Sequence, residues 1–119
     1  MSVSLVLDAS AGVELLLNGE TARVLRGRIP KDAEEWVPEV YLAEVAAALR
    51  RAELSGRITP ERAAVAVSRL MAGAQRRVQI RALLPEAWAL RHNLTVTDAL
   101  YVVLAERRLV GAAHCTLGA

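Results

Sequence analysis

SLVLDAS, Ser4 to Ser10, is the stretch on which the reading of this chain turns. Leu5, Val6 and Leu7 form a short apolar run of the kind expected of a strand buried on both faces. The run ends on Asp8, and the chain then continues as an apolar helix from Ser10 through Ala11, Leu15 and Leu16 to about Leu17. In open α/β sheets, ligands bind beyond the carboxyl ends of the strands, and this reading puts Asp8 there. The same carboxylate is also well placed to cap the helix that follows it, so position alone leaves both roles open.

Outward from this stretch the chain alternates strands with helices. Asn18-Gly19 terminates the first helix, and a second fits Thr21 to about Arg28. Pro30 and the charged run Lys31 to Glu35 read as a loop, Trp36-Val37 as a short strand, and Pro38 as the opening of a long helix reaching Leu54. Ser55-Gly56 ends that helix, and Thr59-Pro60-Glu61 restarts the chain as a cap with proline at the first helical position. The next helix reaches Ala72. Arg77 to Ile80 alternates like a strand, Pro85 to His92 reads as helix, Asp98 to Arg108 as the last helix, and Val110 to Cys115 as a final strand. This order predicts a single domain over residues 1–119, an α/β sandwich on a short parallel sheet.

Composition narrows the function classes. A chain of 119 residues can bury roughly two thirds of its unfolded surface without disulfides or structural metal. The apolar run Ala99 to Ala105 is far shorter than the roughly 20 residues of a membrane helix, and no export leader precedes Val3, so no membrane association and a cytoplasmic location are expected. Cys115 is the only cysteine, which excludes an internal disulfide and a multi-cysteine metal site. Of 15 basic residues all but Lys31 are arginine, whose fork geometry suits phosphate, although the net charge is only +2. Trp36, Tyr41, Trp88 and Tyr101 are the only aromatics, too few for a base-stacking platform, so any RNA contact must rest on charge and shape.

Two further acids stand out of place. In VPEVYLAEVAAALRR, Glu44 shares a helical face with Val40, Tyr41, Ala47 and Ala48, the face expected to pack inward. Pairing with Arg51 at the rim of the core is the structural alternative. In HNLTVTDALYVVLAERR, Asp98 leads the apolar stripe Tyr101, Val102, Ala105 and Leu109, where helix capping is the alternative. Clustered carboxylates repel unless a hard cation neutralises them, and Mg²⁺ or Mn²⁺ prefers such oxygen ligands.

In order and spacing, the strand with LDAS, the helix with AEVAAALRR and the segment RHNLTVTDALYVVLAER resemble PIN-domain endoribonucleases, specifically the VapC toxins of bacterial toxin–antitoxin pairs. The most specific of these is TDALYVVLAE; LDAS alone carries little. The resemblance implies a three-layer α/β/α sandwich with a short central parallel sheet. It also implies Asp8, Glu44 and Asp98 as a catalytic Mg²⁺ (or Mn²⁺) site, with Ser10 as the hydroxyl supporting it. It further implies an RNA substrate, a cognate antitoxin and a homodimer. Arg50, Arg51 and Arg91, near these segments, are candidates for holding RNA phosphates.

One departure stands against full activity. The family usually carries a fourth acid beyond the last helix, whereas LVGAAHCTLGA has no Asp or Glu. Depending on alignment, His114 or Gly118 occupies its place. A catalytically impaired relative that retains only partner or RNA binding is therefore the second reading. A phosphoacceptor receiver domain needs acids adjacent to Asp8 and a late lysine, and a haloacid-dehalogenase-type phosphatase needs an aspartate where Ser10 stands; neither pattern is met.

Overall fold

The structure, a computed structural model, describes residues 3–108 and 113–117. Ten elements follow one another: β1 (Val3–Leu7), α1 (Ala9–Leu17), α2 (Glu20–Arg28), β2 (Glu34–Pro38), α3 (Val40–Leu54), α4 (Pro60–Ala72), β3 (Arg76–Val78), α5 (Ile80–Ala89), α6 (Val96–Arg108) and β4 (Ala113–Leu117). The four strands form one parallel sheet in the order β3-β2-β1-β4. The chain therefore winds outward from β1 to β3 and then returns to the other side of β1. With the right-handed crossovers that parallel sheets require, α1 to α4 cover one face and α5 with α6 the other. This is the three-layer α/β/α sandwich.

β1 is central, and its sequence explains why: Ser4 to Leu7 are all buried, with Leu5 and Val6 fully so. A strand covered on both faces has no need of polar alternation. Its neighbours reverse direction in sequence order, β2 on one side and β4 on the other, so the crevice of the fold lies at the end of β1 where Asp8 stands. Buried side chains of β1, β2 and the helices form one continuous core, including Val6, Val37, Tyr41, Leu49, Leu83 and Leu104.

Helix ends follow local chemistry closely. Asn18 takes the left-handed conformation (φ 57°) that ends α1. Three arginines then satisfy the last carbonyls of α1: Arg26 donates to Leu15 O at 3.0 Å, Arg69 to Leu16 O at 3.2 Å and Arg62 to Leu17 O at 3.0 Å. Cations at a helix C-terminus oppose the negative end of its dipole, and here they also tie α1 to α2 and α4. Thr59 caps α4 through its hydroxyl, with Pro60 in the first turn.

Several boundaries differ from the sequence reading. β2 begins at Glu34, inside the charged run taken for a loop, and Pro38 is its last residue; α3 starts at Val40. Proline without an N–H suits the end of a ladder as well as the start of a helix. β3 is Arg76–Val78, and Ile80 opens α5. That helix contains Pro85 in its interior, between the fully buried Leu83 and Ala87, and forgoes one hydrogen bond there. β4 is Ala113–Leu117, and Val110, read as the start of that strand, lies outside the described residues.

Candidate active site

Asp8 leaves β1 in an extended conformation (φ −87°, ψ 168°), and its Oδ1 accepts the Ala11 N–H at 2.9 Å. It is thus the N-cap of α1, half-buried, and it stands at the sheet's crevice as well. Capping does not exclude the other role suggested by sequence, since a carboxylate has lone pairs enough for a cap and a further ligand.

Glu44 is half-buried on α3, beside the face formed by Tyr41, Val45, Leu49 and Ala52. Its partner is not Arg51, which is exposed two helical turns farther on, about 10 Å along the axis. Instead the Tyr101 hydroxyl donates to Glu44 Oε1 at 2.7 Å, joining α3 to α6. Tyr101 is only 8% exposed. A buried phenol needs an acceptor, and this carboxylate supplies it.

Electrostatics relate Asp8 to the same phenol. Burial above all, then the hydrogen bond and charge of Glu44, then the charge of Asp8, push Tyr101 well above the ordinary range of a tyrosine. It remains a protonated donor. The Tyr41 hydroxyl is raised likewise, by burial first and then by the charges of Glu35 and Asp8. One carboxylate of α3 therefore accepts this hydroxyl of α6, and the charge of Asp8, at the junction of β1 and α1, bears on it as well.

Asp98 lies in the first turn of α6, exposed, one turn before Tyr101 on the same helical face. It does not cap the helix. Thr95 does, its hydroxyl accepting the Asp98 N–H at 3.2 Å, so capping does not account for this acid. Ser10 is exposed in the first turn of α1. Arg50 is exposed on α3. Arg91 donates to Trp88 O at 3.0 Å and lies 4.9 Å from the centre of the Trp88 ring, so its guanidinium is committed to the end of α5.

The donor set of Asp8, Glu44 and Asp98 consists of carboxylate oxygens, the chemistry that hard divalent cations select. As the side chains stand, no group of three His, Cys, Asp or Glu among the described residues is gathered closely enough to hold an ion. Glu44 meets a phenol rather than another acid, an arrangement in which mutual repulsion is avoided.

Position 118 lies outside the described residues. The β1–β4 register bears on the missing fourth acid: His114 is opposite Ser4, and Leu117 opposite Leu7, the neighbour of Asp8. Four residues of strand, about 13 Å, separate Ser4 from Asp8. His114 is therefore at the wrong end of the sheet for a group that joins Asp8.

Sequence reasoning missed Tyr101 as a polar participant, placing it in an apolar stripe. The signal was available in its hydroxyl, which cannot be buried on such a stripe without a partner.

No family model matches the chain. It is 44% identical over 102 residues to ribonuclease VapC1 of Mycobacterium tuberculosis, covering 84% of this chain and 76% of that protein. It is 37% identical over 102 residues to ribonuclease VapC3 of the same species (85% and 74% covered). It is 34% identical over 114 residues to the VapC ribonuclease Mb0985 of Mycobacterium bovis (95% and 82%). Its fold is similar to the crystal structure of M. tuberculosis VapC20, a sarcin–ricin loop cleaving toxin, with a TM-score of 0.62 at 18% identity over 89% of this chain and 84% of that one.

Proposed function

The chain belongs to the VapC ribonuclease family, and from that membership we propose that it is a divalent-metal-dependent endoribonuclease toxin. The observation that supports the metal site most directly is the meeting of β1, α3 and α6 around Tyr101. Glu44 accepts its hydroxyl at 2.7 Å, Asp98 lies one turn earlier on its helix, and the charge of Asp8 is felt at the same hydroxyl. Asp8 and Asp98 are the principal ligands for Mg²⁺ or Mn²⁺, and Glu44 binds directly or through water. A cation bound there supplies an activated water and offsets charge on the phosphate oxygens. The protein's part is to hold the carboxylates on three rigid elements and to leave the mouth open to a large polyanion. Arg50 and Arg51, exposed on α3, hold phosphates.

The partner is an antitoxin. Between α1 and α4 lies a cavity of about 410 Å³ lined by Leu16, Leu17, Val65, Arg62 and Arg69, adjoining one of about 380 Å³ that reaches Arg26 and Lys31. The walls are apolar and the rim holds more basic residues (Arg26, Lys31, Arg62 and Arg69) than acidic ones (Glu35 and Glu61), which suits a segment carrying apolar side chains flanked by acids. The second subunit of a homodimer is a separate partner, readable by light scattering.

The deciding experiment is RNA cleavage by the purified chain with Mg²⁺ or Mn²⁺ and with EDTA. Cleavage abolished by EDTA and by Asp8→Asn supports the reading, while cleavage unaffected by either defeats it. The second reading, a binding protein without catalysis, is favoured by the absence of an acid after Glu106. It predicts antitoxin and RNA binding with no metal-dependent cleavage.

A further inference from the structure

Glu44 is a long, flexible side chain, and half-burial alone does not fix its direction. Holding a glutamate in one rotamer costs side-chain conformational freedom. The structure shows what holds it: the Tyr101 hydroxyl, 2.7 Å from Oε1, on a ring that is 8% exposed. α6 anchors that ring, since Leu100, Val103 and Leu104 around it are buried in the core. The phenol engages one carboxylate oxygen, Oε1, and a carboxylate keeps acceptor capacity for a further ligand.

We propose that Tyr101 is a positioning residue, whose hydroxyl orients Glu44 for the cation bound with Asp8 and Asp98. This rests on the metal-dependent reading above. A neutral donor does this better than an arginine. It directs the carboxylate without cancelling the negative charge that attracts the cation, whereas a salt bridge to Arg51 would compete with the metal. Groups that orient metal ligands by hydrogen bonding commonly contribute ten- to a hundredfold in metal affinity. Because Glu44 is one ligand of several, the lower end of that range applies.

Calorimetric titration of Mn²⁺ into the unmodified chain, Tyr101→Phe, Glu44→Gln and the double variant tests this without reference to activity. Phenylalanine keeps the ring and its packing. Affinity should fall about tenfold in Tyr101→Phe and no further when that change is added to Glu44→Gln. Unchanged affinity in Tyr101→Phe overturns the proposal, as does an equal loss in both backgrounds, which would make the tyrosine merely structural. If the unmodified chain binds no Mn²⁺, the metal reading fails and this proposal with it.

A second readout leaves Tyr101 in place. In Tyr41→Phe, Tyr101 is the sole tyrosine, and Mn²⁺ should shift its near-ultraviolet absorption by withdrawing electron density from the carboxylate it donates to. Adding Glu44→Gln should remove the shift. Absence of any shift in the Tyr41→Phe chain overturns the proposal.

Discussion

A Cβ on Gly12 would clash with the Tyr41 hydroxyl and stand 2.8 Å from two carbons of its ring. α1 and α3 approach closely at this point, and Tyr41 is 2% exposed, so the ring has nowhere to move. Glycine on α1 is what allows a tyrosine of α3 to pack against it.

Gly12→Ala should therefore destabilise the fold. Alanine gains about 1 kcal/mol of helix propensity, but overpacking against a buried ring costs roughly 1 to 3 kcal/mol. Gly27→Ala, on exposed α2 with nothing within 4 Å of the new methyl, is the matched control and should stabilise. Urea denaturation of both variants gives the two signs; a stabilised Gly12→Ala would show that Tyr41 yields easily.

Asp8 separates its two roles by substitution. Asparagine caps helices about as well as aspartate, so Asp8→Asn should retain stability while losing metal-dependent cleavage. Asp8→Ala should lose cleavage and also about 0.5 to 2 kcal/mol of stability. Equal melting temperatures for the two variants would mean that the 2.9 Å bond to Ala11 contributes little.

The strand register makes a prediction about the tail. With Leu117 opposite Leu7 and His114 opposite Ser4, Gly118→Asp should tighten Mg²⁺ binding and His114→Asp should not. Calorimetry on both variants distinguishes the two alignments, and the reverse result would mean that the register does not govern the metal site.

With three acids rather than four, cation binding should be weak, and any cleavage better supported by Mn²⁺ than by Mg²⁺. Parallel assays across a metal concentration series would show this. Tight binding of two Mg²⁺ ions by the unmodified chain removes the argument from the missing acid.

Pro85 sits inside α5, where it forgoes one helical hydrogen bond. Pro85→Ala should stabilise by roughly 1 to 3 kcal/mol, seen as a raised denaturation midpoint. A loss instead would indicate that the ring's own packing outweighs the missing bond.

Much of the architecture was legible because its determinants are local. Leu5 to Leu7 need burial on two faces wherever they are, Asn18 and Gly56 (φ 79°) end helices by their own backbone preferences, and Thr59-Pro60 starts one by side-chain capping. The identities of Asp8, Glu44 and Asp98 as unusual acids were legible for a similar reason: a carboxylate on an apolar periodicity is an anomaly visible in one dimension. The boundaries that moved, at Pro38 and at Ile80, are those where local rules permit two answers and packing selects one.

What only the tertiary structure decided is which groups meet. Glu44 had an arginine two turns away as an obvious partner, and its actual partner, Tyr101, is 57 residues distant in sequence. No periodicity encodes that contact, because it depends on how α3 and α6 pack around the sheet. Likewise, the distance of position 114 from Asp8 along the sheet follows from which residue of β4 lies beside which residue of β1. By itself the sequence determined the acids, the elements that carry them and the family resemblance. The hydrogen bond that directs one of those acids is non-local, and only folding brings its donor and acceptor within reach.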